Sequence, residues 1–509
     1  MIRRAALVLP ALALAALGAV ALPVAAQAPA EKVLRVGVAS LLPDRANPYS
    51  TIVIPSLIPN QLIYDSLLSF DANGNLQPGL VERWEMLAPD HWRFTLRDGI
   101  AFSNGEPLDA AAATAAITYL AEEAGVMEVV AQSLVDVVSA TAVDRLVFDV
   151  RSDGPNVLLP RRLAGIFVPA PKAWARLGRT AFSGAPAGTG PFTLAEWSAG
   201  KAVFAANRAA WRPPVIDRIE LLQVPDLNAR MQALRTGAID IAVDVGPDDR
   251  PLIEAAGGTL HIRPTGRVQT LTFVAVKDSP VADVRVRQAL NYAVNKQAII
   301  DVLLGGTTAP ATQPAARQAF GYVADLAAYP YDPDRARALL AEAGHANGFS
   351  MQLSFPPGAM AGDEAFYQQL ASDLGAVGVR ATIETSTFAQ HITRIRMGGW
   401  PGEGFGMDYN NMPALDALWP MRIHSCLWAA PWHCREDWVP LIRAAETATS
   451  VEARLALTRQ LGRMYRDEPT AIFLWEMPGL DAVGPRVAGF ESQLGRINFE
   501  RMDLRVAAR

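Results

Sequence analysis

Short runs of apolar residues, separated by turns rich in Gly and Pro, recur along most of this 509-residue chain. The runs at 33–39, 92–97 and 271–276 have the length and patterning that favour β-strands. Between such runs lie stretches with apolar residues every three or four positions, a spacing typical of amphipathic helices. The alternation of strands and helices predicts an α/β protein.

Two stretches predict complete strand–helix–strand units. The first spans residues 216–243, with a helix that Asp226 caps and Gly237 ends. The second spans residues 349–383 and repeats this order. Parallel strands joined by a crossover helix are buried on both faces. The repetition predicts two α/β lobes joined by strands, with a hinge and a cleft between them.

Residues 284–304 predict one amphipathic helix that ends at Gly305 and Gly306. Its apolar face is formed by Val286, Leu290 and Val294. Arg287 and Lys296 are expected outside that face. The helix is expected to pack in a core rather than to bind a ligand.

The N-terminus has the layout of a secretory signal peptide at residues 1–28. The sequence MIRR precedes a long apolar segment, and Ala26-Gln27-Ala28 supplies a cleavage site. No cysteine lies near that site, so lipid attachment there is not expected. The alternative is an N-terminal membrane anchor, which Pro10 and Pro23 disfavour. The mature protein is therefore predicted to be exported and soluble.

The composition excludes several classes of function. Half of the residues are hydrophobic and 19% are charged, which suits a large core and more than one domain. The formal net charge of -5 argues against a nucleic-acid partner. The sequence contains no H-E-x-x-H, C-x-x-C, G-x-S-x-G or phosphate-binding motif. A binding protein without catalysis is predicted, and an exported hydrolase with an unrecognised site is the alternative.

Residues 400–438 concentrate unusual chemistry. This stretch holds both cysteines, Cys426 and Cys434, together with His424, His433 and five of the 11 tryptophans. Aromatic rings with a few polar groups typically line a ligand pocket. The alternative is a zinc or nickel site formed by the two cysteines and two histidines. Export favours a disulfide between the cysteines instead.

Several motifs follow one another in order along the chain. PGL-x-x-x-W begins at Pro78, LRDG at Leu96, and F-x-NG-x-P-L at Phe102. GTGPF begins at Gly188, and D-x-R-V-R-Q-A-L begins at Asp283. This order resembles the family 5 extracellular solute-binding proteins. These are the dipeptide-, oligopeptide- and nickel-binding components of ABC importers.

The resemblance covers essentially the whole mature chain and implies a two-lobed periplasmic-binding-protein fold of type II. An extra subdomain is implied in lobe 1. The expected organisation is a signal peptide at 1–28, lobe 1 at 29–276 with an inserted subdomain at about 60–185, lobe 2 at 277–479, and a return to lobe 1 at 480–509.

The function that the resemblance implies is capture of a peptide or other small solute in the cleft. The receptor would be a periplasmic monomer that needs no cofactor and delivers its ligand to an inner-membrane ABC permease. Binding of nickel or another metal complex is an alternative within the same fold.

The resemblance also suggests where a ligand binds. An acid at the position of Asp408 pairs with the α-amino group of the ligand in peptide-binding relatives, although Asn411-Met412-Pro413 departs from the usual Asp-Pro. The candidate ligand contacts are Asp408, Tyr409, Asn410, Asn411, Trp400, Trp428, Trp475, Asn47 and Tyr49. Peptide-binding relatives also carry a disulfide near Cys426 and Cys434, which supports that pairing over the metal site.

Overall fold

The structure of the chain is a computed structural model. The residues that it describes are 31–51, 56–122, 125, 127–358 and 362–505. The predicted signal peptide at 1–28 lies outside the described residues.

The strands and helices alternate as the sequence predicts. The strands are β1 (Val33–Val38), β2 (Leu68–Phe70), β3 (Leu76–Pro78), β4 (Val81–Ala88), β5 (His91–Leu96), β6 (Val137–Asp144), β7 (Val147–Ser152), β8 (Phe192–Ser198), β9 (Lys201–Ala206), β10 (Arg218–Gln223), β11 (Ile241–Ala242), β12 (Thr259–Phe273), β13 (Phe349–Phe355), β14 (Val379–Thr385), β15 (Gly404–Asn410), β16 (Ala471–Val483), β17 (Val487–Ala488), β18 (Ser492–Gln493), β19 (Arg496–Ile497) and β20 (Asp503–Leu504). The helices are α1 (Ile58–Ile63), α2 (Ala110–Ala121), α3 (Leu159–Arg162), α4 (Pro171–Gly184), α5 (Leu227–Arg235), α6 (Arg250–Ala255), α7 (Val284–Ala293), α8 (Lys296–Leu303), α9 (Pro333–Glu342), α10 (Asp363–Gly375), α11 (Phe388–Met397), α12 (Leu418–Ile423), α13 (Val439–Glu446) and α14 (Val451–Asp467).

A ten-stranded mixed sheet runs through the molecule in the order β14-β13-β15-β12-β16-β11-β1-β10-β9-β8. The two long central strands, β12 and β16, pair antiparallel with each other. At one end β16 also pairs with β11, and at the other end β12 also pairs with β15. The two strands therefore connect one half of the sheet to the other.

We call the half around β1 lobe 1 and the half around β13 lobe 2. The pairing of β12 with β16 shifts register between Pro264 and Val268, where the strands pass from one lobe to the other. The boundaries at 276/277 and 479/480 stay a prediction, because lobe membership depends on which residues move together.

Lobe 1 contains the first predicted strand–helix–strand unit. The Asp226 side chain accepts a hydrogen bond from the backbone N–H of Ala229, and Gly237 has the positive φ of a helix terminator. β10 and β11 are both parallel to β1 but are not neighbours, because β1 lies between them. The N-terminal strand therefore completes the unit.

An antiparallel sheet with the order β4-β5-β7-β6 is inserted between the main elements of lobe 1. Helix α2 packs on this sheet and begins at Asp109, whose side chain accepts from the backbone N–H of Ala112. The cap predicted at Asp226 is confirmed. The predicted insertion at about 60–185 includes this sheet.

Lobe 2 contains the second predicted unit, in which β13 and β14 pair in parallel and α10 connects them. Its main core includes Leu353, Leu370 and Leu290, all fully buried. The alternation seen in the sequence at 349–355 puts Met351 and Leu353 on the buried side of β13.

The single helix predicted at 284–304 is wrong. The chain forms α7 and α8 with a break at Asn295, whose side chain caps α8 by accepting from the N–H of Ala298. Arg287 and Lys296 are also buried rather than outside the packed face. Arg287 donates to the carbonyl oxygens of Pro469, Val281 and Ala282 at 2.7, 3.0 and 2.8 Å. Burial lowers the pKa of Lys296 to about 7.

Candidate ligand-binding site

A cavity of about 630 Å³, its open mouth included, lies between the two lobes. We call it the interlobe cavity. Lobe 1 supplies Thr51, Leu57, Gln61, Tyr64, Ser66, Ser69, Phe70, Ala164, Gly165, Phe167, Leu494, Gly495 and Arg496, and lobe 2 supplies Met412 and Pro413.

Helix α1 forms one wall of this cavity and is buried at every position. The Gln61 side chain donates to the carbonyl of Gly495 and accepts from the N–H of Ile497 at 3.2 Å. These bonds attach α1 to the C-terminal segment of lobe 1. Gly188 and Gly190 allow the chain to cross closely behind α1, since a Cβ at Gly188 would lie 2.1 Å from the carbonyl oxygen of Ile63.

The lobes are in direct contact beside the cavity. Arg161 of lobe 1 donates from Nε to the carbonyl of Ala414 at 3.0 Å and from Nη2 to that of Leu415 at 3.2 Å. Its guanidinium lies over the ring of Phe70, 4.7 Å from the centroid. Phe70 also belongs to a buried cluster made mainly of lobe 2 side chains, Leu415 among them. These contacts connect the two lobes directly beside the cavity.

A network of charged side chains lies behind α1. Asp65 accepts from Thr189 at 3.0 Å and from Trp211 at 2.7 Å, and it forms an ion pair with Arg212. Burial alone would raise the pKa of Asp65, but Arg212 and the other positive and hydrogen-bonding neighbours outweigh it and hold that pKa below its usual value. Glu500 pairs with Arg212 and with Arg496. Arg496 is the member of this network that lines the cavity.

The predicted residues at 408–411 lie immediately before the lobe 2 wall of the cavity. Asp408 is engaged by Arg267 of the neighbouring strand, and Asn410 accepts from the N–H of Met412 at 2.9 Å. The Asn411 side chain is fully buried and accepts from the N–H of Ala316 at 2.8 Å. These amides shape the loop that brings Met412 to the cavity.

Tyr409 points away from this loop into the core of lobe 2. Its hydroxyl is hydrogen-bonded to Thr470, and its ring stacks on His424 with centroids 3.6 Å apart. Burial raises the pKa of Tyr409 above its usual value. None of the residues 408–411 lines the interlobe cavity, so their contact with a ligand stays a prediction.

The predicted tryptophans lie in packed clusters. Trp400 stacks on Phe405 with centroids 3.7 Å apart, and Trp428 packs against the same small core and donates from Nε1 to the carbonyl of Ile395 at 2.6 Å. Trp475 is fully buried in the main core of lobe 2, edge-on to Phe366. The structure does not bring these three rings to the interlobe cavity.

The two candidates from lobe 1 are also buried. Asn47 accepts from the N–H of Tyr49 at 3.1 Å and donates to Glu128 at 3.2 Å. The ring of Tyr49 lies between Tyr119 and Trp174, with centroids 5.7 and 5.6 Å away. These contacts assign both residues to the packing of lobe 1 rather than to the cavity wall.

Cys426 and Cys434 form a disulfide with Cα atoms 4.4 Å apart, which confirms the predicted pairing. His424 accepts from Trp432 Nε1 at 3.2 Å, and burial lowers its pKa well below the usual value. Burial, with Arg287 and Arg435 nearby, lowers the pKa of His433 to about 3. Within the described ranges no group of three or more metal-ligating side chains is found.

Sequence reasoning missed most of the residues that line the interlobe cavity. Gln61 lies in α1 and Phe70 in β2, in a stretch where the sequence predicts no ligand contact, and Arg496 lies in the segment expected to complete lobe 1. Pro413 belongs to the Asn411-Met412-Pro413 motif, which by itself does not indicate a cavity wall. The return of 480–509 to lobe 1 was the one signal that could have directed attention to Arg496.

A second, more open cavity of about 800 Å³ lies where the strands cross between lobes. We call it the hinge cavity. It is lined by residues 262–267 of β12, 476–478 of β16, 306–309 and 317–318. Its three arginines are each paired: Arg263 with Asp481, Arg267 with Asp408 and Arg317 with Glu476.

Two α/β lobes linked by crossing strands, with a cavity between them, are typical of a solute receptor that closes on its ligand. The family model described as bacterial extracellular solute-binding proteins, family 5 (middle) matches residues 75–425. The chain belongs to this family, which confirms the resemblance seen in its motifs.

Curated relatives agree with this membership. Di/tripeptide-binding protein 2 of Pseudomonas aeruginosa is 27% identical over 331 residues, which span 63% of this chain and 62% of that relative. The match thus covers less than two thirds of that relative's length. The glutathione-binding protein GsiB of Escherichia coli K12 is 27% identical over 391 residues, or 74% of this chain and 73% of that protein. These relatives are binding proteins rather than enzymes.

The fold is shared with solved structures. HbpA2 from Haemophilus parasuis superposes with a TM-score of 0.80 at 21% identity, covering 93% of this chain and all of that chain (100%). The predicted two-lobed α/β fold is thereby confirmed. No helix among the described residues is both long and apolar enough to cross a membrane.

Proposed function

We propose that this chain is the solute-binding component of an ABC importer and captures a peptide or another small solute between its lobes. The interlobe cavity carries the proposal, because residues of both lobes line it. A ligand that contacts both walls stabilises the closed arrangement relative to the open one. The crossing strands β12 and β16 would serve as the hinge.

The proposed receptor works in the periplasm as an exported monomer and delivers its ligand to an inner-membrane ABC permease. Family membership and the signal-peptide pattern at 1–28 support export. The names of the two curated relatives support a peptide or peptide-like ligand as the first choice. A fold of this kind hosts many ligands, so the fold itself does not choose among them.

Native mass spectrometry of protein purified without denaturation tests the proposal. We expect one small molecule per chain, released unchanged when the protein is denatured. Release of a chemically altered product would instead support the alternative of an exported hydrolase. Absence of any bound molecule, together with no stabilisation by a panel of small peptides, would contradict the proposal.

A cavity-filling variant links the bound molecule to the interlobe cavity. A Cβ at Gly165 would lie 3.2 Å from Pro413 of the opposite lobe. We therefore expect Gly165→Phe to abolish co-purification of the ligand while leaving each lobe folded. Gly375→Phe is the matched control, because a Cβ at Gly375 meets no atom within 4 Å. Equal ligand retention by both variants would place the binding site elsewhere.

A further inference from the structure

Among the described residues that line the interlobe cavity, Arg496 is the only one with a charged side chain. It lies in β19, and Met412 and Pro413 of lobe 2 line the same cavity. Its side chain is 20% exposed, so it is mostly shielded from solvent while it borders the cavity. An ionic group of a ligand in this cavity would therefore meet a cation.

Part of the hydrogen-bonding capacity of Arg496 is unused. Its Nη2 donates to Glu500 at 3.0 Å, but its Nε has no hydrogen-bond partner in the part of the chain that the structure describes. A buried donor without a partner carries a desolvation cost. A planar carboxylate is the acceptor that best fits two neighbouring N–H groups of a guanidinium.

The nearby carboxylates do not favour a cationic ligand. The carboxylate of Asp65 already pairs with Arg212 and accepts hydrogen bonds from Trp211 and Thr189. The carboxylate of Glu500 already pairs with Arg212 and Arg496. Neither acid is among the residues that line the cavity. Arg496 is the only one of these four charged side chains that lines the cavity, so the network presents a positive charge to a ligand there.

The rest of the cavity surface is mainly apolar with a few hydroxyl groups. The apolar contribution comes from Leu57, Phe70, Phe167, Met412 and Leu494. The Ser66 hydroxyl already donates to the carbonyl of Leu68 at 2.6 Å, and that of Tyr64 to the carbonyl of Ala46 at 2.8 Å. An apolar group of a ligand would gain from burial against these side chains.

We propose that the ligand is an amphipathic organic carboxylate, with its carboxylate on Arg496 and its apolar part between Phe70, Phe167 and Met412. This inference rests on the proposed function and adds the chemical class of the ligand. It also gives a role to the one guanidinium that lines a mostly apolar cavity.

The test uses the full mature chain and a panel of matched compounds. Each pair has the same apolar acyl or N-acyl-peptide body and ends in either a free carboxylate or the corresponding carboxamide. Thermal shift identifies binders, and calorimetry gives their affinities for the wild type, Arg496→Gln, Arg496→Lys and the control Arg501→Gln. Arg501 is exposed, pairs with Glu491 and does not line the cavity.

We expect carboxylates to bind the wild type at least about tenfold more tightly than their carboxamides, since a charge-assisted hydrogen bond is lost in the amide. Arg496→Gln should remove this preference, Arg496→Lys should keep part of it, and Arg501→Gln should leave it unchanged. The residual preference in Arg496→Lys guards against a trivial folding defect, because that variant keeps the charge that Glu500 requires.

Several outcomes overturn the assignment. Equal affinity for carboxylates and carboxamides would do so, as would an unchanged preference in Arg496→Gln. Binding of neutral or cationic compounds alone would leave the proposed receptor function standing and reject the carboxylate. If no compound binds and native mass spectrometry detects no carried molecule, the proposed function itself fails, and this inference fails with it.

Discussion

The guanidinium of Arg267 holds the carboxylate of Asp408 in a two-bond fork, with Nε–Oδ2 at 2.8 Å and Nη2–Oδ1 at 2.9 Å. The two side chains extend from adjacent strands, β12 and β15, just after β12 enters lobe 2. Asp408 raises the pKa of Arg267 above its usual value. The carboxylate is thus already engaged by this chain before any ligand arrives.

Asp408→Asn should lower the free energy of unfolding by about 1–2 kcal/mol, because a half-buried guanidinium loses its anionic partner. Urea unfolding followed by circular dichroism measures this. Asp325→Asn is the matched control, since Asp325 also pairs with an arginine, Arg463, but at an exposed site where ion pairs contribute little. Equal stability of the two variants would contradict a structural role for the Arg267–Asp408 pair.

The ligand contact expected for Asp408 is a separate claim. It predicts that Asp408→Ala weakens ligand binding by about tenfold or more without unfolding the protein. In the double variant Asp408→Asn with Arg267→Gln, we expect stability to recover because no charge is left unpaired, while affinity stays low. Recovery of both would show that the affinity loss came from the disrupted pair, and unchanged affinity in Asp408→Ala would remove this residue from the site.

The Cys426–Cys434 disulfide encloses a loop with a sequence separation of 8 residues. Cross-linking a loop of this size stabilises the folded chain by about 2.5 kcal/mol in the chain-entropy view. We expect the double variant Cys426→Ala with Cys434→Ala to lose about that much, measured by urea unfolding. Reductant should destabilise the wild type but not the double variant. Two titratable thiols in the denatured, unreduced wild type would exclude the disulfide.

The elements that could be predicted from sequence are those whose local pattern and tertiary environment agree. The alternation at 349–355 matched β13 because one face of that strand is buried, and Asp226 capped α5 because the cap is a local bond. The break at Asn295 was hidden because apolar residues continue at helical spacing on both sides of it. The helical spacing predicts a surface position for Arg287. Its burial is possible because its guanidinium donates to three backbone carbonyls, that of Pro469, which is distant in sequence, and those of Val281 and Ala282 in the preceding turn.

The site was less predictable than the fold, because its walls come from segments far apart in the sequence. Aromatic richness at 400–438 indicated a pocket, but Trp400 and Trp428 pack against Phe405 and Ile395 instead. An aromatic cluster that binds a ligand and one that fills a small core have the same composition. Only the three-dimensional arrangement brings Arg496 and Met412 to the same cavity.

Near the hinge, the carboxylate of Asp244 lies 3.2 Å from Nη2 of Arg263, which also pairs with the buried Asp481. Although its side chain is 40% exposed, desolvation by the surrounding protein outweighs the attraction of Arg263 and raises the pKa of Asp244 from 3.8 to about 6. The folded protein therefore binds this proton more tightly than the unfolded chain. The stabilisation of the folded protein by this bound proton is complete below about pH 4 and is lost as the pH rises through about 6.

Asp244→Asn should for that reason raise the thermal unfolding midpoint more at about pH 7.5 than at about pH 4. The comparison between the two pH values matters because Asn also suits the left-handed backbone of this position, φ 52°, at any pH. Asp248→Asn, at an exposed neighbouring site, controls for the loss of one negative charge. An equal shift at both pH values would show that the charge of Asp244 has no net cost in the folded state.

Arg161 of lobe 1 donates hydrogen bonds to the backbone carbonyls of the 414–415 loop of lobe 2. Burial lowers its pKa to about 10, so it remains charged at neutral pH and donates to the carbonyls of both loop residues. Arg161→Met should therefore favour the open arrangement and lower ligand affinity by about tenfold, measured by calorimetry with the ligand found by native mass spectrometry. Small-angle X-ray scattering of the ligand-free variant should give a larger radius of gyration than the wild type.

The neighbouring residue supplies the control for this prediction. Arg162 pairs with Asp136 at 2.6 Å within lobe 1 and makes no comparable bond to lobe 2 among the described residues. Arg162→Met removes the same charge from the same helix, α3, so any effect on the fold of lobe 1 should appear in both variants. We expect normal affinity and an unchanged radius of gyration in Arg162→Met. If both variants behave alike, or if Arg161→Met stays as compact as the wild type, the contact of Arg161 with Ala414 and Leu415 does not control closure.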